Sequence, residues 1–279
     1  MAKATAKKKP IRKKAKSKFN FQIRLILLLV LFSSIVFGIY HYRNAILYYF
    51  SFKSHKVVKE DKLAQARIFQ ILKAHNELTF GVDVSQYQGE INWEEIDSID
   101  NKFPLHFVLI RATAGNNKED SEFDANWKGA KKQNLIRGAY HYYRPNENSI
   151  EQADNFIKSV HLKKGDLPPV LDIEKLPKNQ SIDSLKVGLK RWLKKVDNHY
   201  KVKPIIYTGE KYYDDFLKEE FKGYTFWIAN YNFFVDEIKD DWLFWQFTEK
   251  AKINGINQNV DLNIYNGTPK MLAYLTISN

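Results

Sequence analysis

The chain has 279 residues, 44% apolar and 27% charged, enough for one sizeable domain with a buried core and further segments besides. It has no cysteine, which excludes disulfides, thiolate zinc sites and cysteine nucleophiles. The formal charge of +12 sits in a tail, because residues 1–24 carry ten Lys or Arg and no acid, so the remainder is close to neutral and a nucleic-acid-binding domain is not indicated.

That basic tail, 1–24, runs into an uncharged apolar stretch at 25–40, LILLLVLFSSIVFGIY. A bilayer span needs about 20 apolar residues. Phe19 and Phe21 lengthen the stretch on one side while Arg24 snorkels, and His41, Tyr42, Tyr48 and Tyr49 read as an interfacial belt on the other. A cleavable signal peptide shares this basic-then-apolar pattern, but bulky residues follow where an Ala-x-Ala-like site would stand. The reading is an uncleaved transmembrane anchor in a cytoplasmic membrane. By the positive-inside rule its amino terminus is cytoplasmic and all that follows residue 41 is extracytoplasmic. The lipid bilayer is then one partner of the chain.

Residues 41–79 read as a stalk or linker, partly helical over 59–76, with no residue pattern that suggests chemistry. From residue 80 to 279, β-branched or apolar runs alternate with helical patterns. Strands are expected at 80–83, 106–112, 137–142, 170–174, 204–207, 226–229, 244–247 and 260–263. Helices are expected at 92–99, 121–134, 150–160, 181–200 and 211–218, the fourth on the stripe Ile182, Leu185, Leu189, Trp192, Leu193 and Val196. The connections between the last three strands are too short or too polar for helices. The fold class is thus α/β, an irregular TIM-like β/α barrel with an antiparallel or helix-poor C-terminal part.

Within this frame the tripeptide Asp172-Ile173-Glu174 ends the run LPPVL. Alternation on a strand sends both carboxylates to one face, about 6.6 Å apart, with Ile173 pointing the other way. Asp83 ends the run FGV, and Asp261 lies in VDLNIY. A single carboxylate of this kind is most often an ion pair or cap, but four at strand ends indicate a site, since barrels gather catalytic residues at the carboxyl ends of their strands. Close carboxyl groups raise one another's pKa, which supplies the protonated and ionised pair that glycoside hydrolysis requires.

The order of segments from about 80 to 266 resembles glycoside hydrolase family 25, the muramidase-type lysozymes. The segments are GVDVSQYQG at 81–89 with INW at 91–93, FVLIRAT at 107–113, GAYHY at 138–142, PVLDIE at 169–174, IYT at 206–208, WIANY at 227–231, WQFT at 245–248 and VDLN at 260–263. The resemblance implies cleavage of the β-1,4 bond between N-acetylmuramic acid and N-acetylglucosamine in peptidoglycan glycan strands. It implies Glu174 as general acid, Asp172 either placing the substrate 2-acetamido group or tuning Glu174, and Asp83 and Asp261 as the remaining site acids. It implies no cofactor. Many members carry an acid after the Ala-Thr of the second strand, where this chain has Ala114.

Tyr140, Trp227, Tyr231, Tyr87 and Gln246 are candidate substrate-binding residues, against the plainer alternative that strand aromatics pack the core. His141 among aspartates suggests a metal-dependent deacetylase, but no ligand spacing accompanies it, and a hydrogen-bonded core histidine is expected instead, with no metal. Arg111 is expected to pair with a site acid. A second functional class stays open: a non-catalytic or weakly catalytic module tethering membrane to wall. Oligomeric state is not legible.

Overall fold

The computed structural model describes residues 18–43, 45–47 and 59–278; most of the basic tail, Tyr48 and Tyr49 lie outside these. All eight expected strands form. In chain order the strands are β1 (Thr79–Val84), β2 (Ser98–Ile99), β3 (Phe103–Ala114), β4 (Lys118–Glu119), β5 (Ile136–Tyr142), β6 (Val170–Asp172), β7 (Ile205–Gly209), β8 (Thr225–Ala229), β9 (Phe244–Ala251) and β10 (Val260–Tyr265). β2 and β4 are two-residue partners of β3. The other eight close on themselves. Parallel pairing runs from β1 through β3, β5, β6, β7 and β8 to β9, and β10 lies antiparallel between β9 and β1. Only residues 252–259 join β9 to β10, too few for the crossover a parallel neighbour demands.

Closure leaves a narrow interior that alternate positions of each strand fill. Phe107, Leu109, Val170, Ile205, Phe244 and Tyr265 pack there. Gly81 is required by this packing: a Cβ on it would sit 2.5 Å from the Phe107 ring. One unforeseen element completes the barrel. The helix Pro269–Leu275, with Pro near its start and Thr268 capping the Met271 amide, puts Leu272 into the interior cluster at the end where β10 finishes.

The longer helices form close to their expected places, at Phe123–Lys132, Ser149–Ser159 and Ile182–Tyr200. The last buries Leu185, Leu189, Trp192, Leu193 and Val196, begins on a Ser181 cap and stops at Lys201 in the left-handed region. Two expectations change. The segment 92–99 is not a helix but a single turn, Trp93–Glu95, followed by β2. Tertiary contacts override its helical spacing: the Asn92 amide donates to the Gly255 carbonyl, and Trp93 lies against Gly129 with its indole N–H on Asn126 Oδ1 at 3.2 Å. The segment 211–218 is helical but irregular, an α-turn at Glu210–Tyr212 widening into a π-turn at Tyr213–Leu217.

Ahead of the barrel, helix Lys59–Ala74 does not stand free. Ala66, Ile68, Ile71 and Leu72 are buried, and Arg67 reaches under the barrel rim. Its guanidinium donates to the carbonyls of Phe247 (2.6 Å), Asn232 (2.8 Å) and Val235 (3.1 Å). The apolar helix Lys18–His41 leads towards this junction. Gln70 donates to the His41 carbonyl at 2.9 Å and accepts from the Ala45 amide, His41 pairs with Asp236, and Tyr42 stacks near Phe233.

Because charge-assisted bonds to three carbonyls are lost together, Arg67→Ala is expected to destabilise the protein by roughly 3 kcal/mol in urea unfolding. A change below about 0.5 kcal/mol, the usual scale for surface substitutions, would show that this helix lies outside the cooperative unit.

Candidate active site

The carboxyl ends of the parallel strands open into a cleft of about 190 Å³ that Asp83, Asp172, Glu174 and Asp261 all line. The antiparallel strand explains how Asp261 joins them. It stands near the start of β10, which lies at the same end of the barrel as the carboxyl ends of the parallel strands, directly across from Asp83 in the β1–β10 ladder. β6 stops at Asp172 rather than continuing to Glu174; the Ile173 amide still bonds the Tyr207 carbonyl while its side chain is buried. Asp172 is therefore held inside the barrel mouth and Glu174 at its accessible lip.

Asp83 is anchored by two amide donors, Gln246 Nε2 at 2.7 Å and Asn263 Nδ2 at 2.8 Å. Gln246 is itself fixed, accepting from Tyr207 at 2.7 Å and from Tyr231. Asn263 accepts from the Trp227 indole at 2.7 Å, so three aromatic donors orient two amides onto one carboxylate. Asp172 is the opposite case: its Oδ1 is buried and has no hydrogen-bond partner among the described residues.

Burial pushes all four carboxyl groups upwards. For Asp172 the rise is large, reinforced by the charges of Glu174 and Asp83 and opposed by Arg111. For Glu174 burial in the cleft wall outweighs the lowering by the Lys175 ammonium and the Tyr142 and Tyr207 hydroxyls. Asp83 and Asp261 titrate together. The amide donors favour the charge on Asp83, so the shared proton rests on Asp261, whose carboxyl burial and the Asp83 charge drive up.

Of the expected substrate-binding residues, Tyr87, Tyr140, Trp227 and Gln246 line this cleft, and Tyr231 stands beside it through Gln246. They differ in what they offer. Tyr87 is 72% exposed and has the Arg111 guanidinium 4.6 Å from its ring centre on one face. Trp227, 1% exposed, forms floor rather than wall. Arg111 pairs with Asp120 (2.7 Å) rather than with one of the four acids. His141 is a core residue, its Nδ1 against Thr113 Oγ1 at 2.7 Å, its Nε2 against Gln152, its ring stacked on Trp192, and burial holding its pKa down to about 3. Asn263 and Tyr207 were not singled out from sequence. The only signal was a polar residue two positions from Asp261 on the same face of an apolar strand, and a tyrosine at a strand's carboxyl end.

The Asp172 shift makes a stability prediction. An unfolded Asp titrates near 3.9 and the native one higher. The native state thus holds more protons in between, and the stability contribution of the group, complete below about pH 4, is lost as pH rises through the native pKa. Asp172→Asn is expected to melt at a higher temperature than wild type at neutral pH and to show little gain near pH 4. An equal gain at both would contradict the burial of an ionisable group there.

Known proteins of similar sequence share this fold. The family model "Glycosyl hydrolases family 25" matches residues 82–256. YegX of Escherichia coli K12, itself uncharacterised, is 38% identical over 196 residues, covering 69% of this chain and 71% of that protein. Lysozyme M1 of Streptomyces globisporus is 32% identical over 211 residues, 70% of each chain. Among solved structures, a family 25 glycosyl hydrolase from Bacillus anthracis superposes with a TM-score of 0.65 at 29% identity, over 73% of this chain and 95% of that one. A bacterial lysozyme from Streptomyces coelicolor gives 0.63 at 28% identity, over 71% and 96%. The chain belongs to glycosyl hydrolase family 25 and is a glycoside hydrolase.

Proposed function

We propose that the chain is a peptidoglycan muramidase, cutting the β-1,4 bond between N-acetylmuramic acid and N-acetylglucosamine, with Glu174 as general acid and Asp172 as its partner. The observation that carries this reading is the division of labour between the two carboxyl groups: one raised and accessible at the lip, the other buried with an unpartnered oxygen. Glu174, kept protonated, gives its proton to the glycosidic oxygen as the bond to the anomeric carbon breaks. The carbonyl oxygen of the substrate's 2-acetamido group attacks that carbon from the other side. Its N–H donates to Asp172 Oδ1, and acquiring a donor favours the ionised form, so the high pKa of the empty site falls as the sugar docks. Water then attacks the anomeric carbon, breaking its bond to the acetamido oxygen and restoring the 2-acetamido group, while the Glu174 carboxylate takes the water's proton and the acid is restored. Asp83 and Asp261, one charged and one protonated, hold the field and hydroxyl contacts beneath the ring.

The same reading makes residues 18–41 a membrane anchor. The helical stretch Ile23–His41 is long and apolar enough to cross a bilayer, and none of its apolar window is buried in the protein. The domain would then work outside the cytoplasmic membrane, with Gln70, Asp236 and Phe233 gripping the anchor's outer end. Removing residues 1–41 is expected to move the protein from the membrane to the soluble fraction. Persistence on membranes would sink the anchor.

Glu174→Gln is expected to lower kcat by about 10²–10⁴ while the protein still sediments with peptidoglycan. Loss of binding together with turnover would instead mark Glu174 as a binding residue. The alkaline limb of the rate profile should lie above the range of an ordinary glutamate, about 4.3. Chelators should leave turnover unchanged, and inhibition by them would favour the metal-dependent alternative.

A further inference from the structure

Beside the cleft lies a second recess of about 450 Å³ that shares Glu174, Tyr87, Arg111 and Tyr142 with it. Its remaining wall comes from β3 and β4 and from the ends of β5 and β6, including Ala114, Lys118, Arg144 and Lys175. Four cationic side chains line it. Their partners decide its character. Arg111 is neutralised by Asp120 at 2.7 Å, and Arg144 meets Glu147 at 3.1 Å. Lys118 is exposed and pairs with no carboxylate among the described residues, and the Lys175 ammonium rests 5.5 Å from the Tyr142 ring centre. On the acidic side, Glu119 accepts from Ser159, and Glu174 spends its charge whenever it carries the proton it must donate. At Ala114 the wall offers only a methyl group.

A space that continues the cleft past the acid, is open to solvent and carries unneutralised ammonium groups favours a negatively charged ligand. Glycan strands carry such groups as substituents: the lactyl carboxylate of muramic acid where no peptide is attached, peptides amide-linked to that lactyl group, which end in carboxylates, and phosphodiester polymers. The peptide is the source in reach of a sugar already bound at Glu174, because every muramic acid ring bears its lactyl ether on C3, two carbons from the anomeric carbon whose bond is cut. We propose that this recess takes the carboxylates of the peptide carried on the substrate's muramic acid, making Lys118 and Lys175 determinants of specificity. The proposal rests on the muramidase reading and adds to it a preference among glycans.

The test uses the full chain in detergent or nanodiscs and three glycans: strands with their peptides, the same strands stripped by an amidase with the freed lactyl carboxylate capped as a methylamide, and such stripped strands carrying a phosphodiester polymer. The expected result is a kcat/KM about two- to five-fold higher on peptide-bearing than on stripped strands, the range exposed ion pairs deliver. This ratio should fall to near one in Lys118→Glu and at high salt, and persist in Lys118→Arg. Sedimentation with each glycan is read in parallel, so the charge preference is still measured if no turnover occurs, an outcome that would count against the muramidase reading alone. Equal handling of peptide-bearing and stripped strands would overturn the proposal. So would a ratio untouched by Lys118→Glu, or a preference for the phosphodiester strands.

Discussion

The crowding of ionisable carboxyl groups at the mouth of a closed barrel is the constraint from which the site's properties follow. Separating any one of these groups from water disfavours its charge, and bringing them together penalises each further ionisation. Protons must therefore be retained by some members at neutral pH. Which members retain them is settled by local donors: Gln246 and Asn263 commit their amides to Asp83, while Asp172 receives none. The two tyrosines and the tryptophan behind those amides serve the same end, since an amide that was free to turn would present its oxygen to a carboxylate.

That arrangement depends on a topological detail. Seven parallel neighbours alone would leave the barrel open, and the strand that closes it, β10, runs the other way. Reversal brings the start of β10 to the functional end, so Asp261 faces Asp83 across a single ladder step and Asn263 follows two residues deeper. The opposite end is sealed by the helix Pro269–Leu275, whose Leu272 tops the interior cluster that supports the cleft floor. Chemistry is thus confined to one end and packing to the other.

Much of this was legible in the sequence because period-two alternation and short apolar runs report strands directly. All eight barrel strands, the three long helices and the helix-poor final part were readable this way, as was the gathering of Asp83, Asp172, Glu174 and Asp261 in one cleft. Partners formed across long sequence separations were not. The helical spacing around Trp93 gave way to contacts with Gly255 and Gly129, far away in sequence. Arg111 found Asp120 through β4, a two-residue strand too short to leave a pattern. The docking of the Lys59–Ala74 helix turns on Arg67 and three backbone carbonyls, which no side-chain pattern encodes.

The central claim is that this acid cluster cuts a particular bond, and the identity of the new chain ends tests it most directly. Mass spectrometry of soluble fragments, after borohydride reduction of a peptidoglycan digest, distinguishes the two sugars that can carry the reducing end. The account predicts N-acetylmuramic acid at every new reducing end. Ends carried by N-acetylglucosamine, or no new ends from protein that still binds the wall, would contradict it.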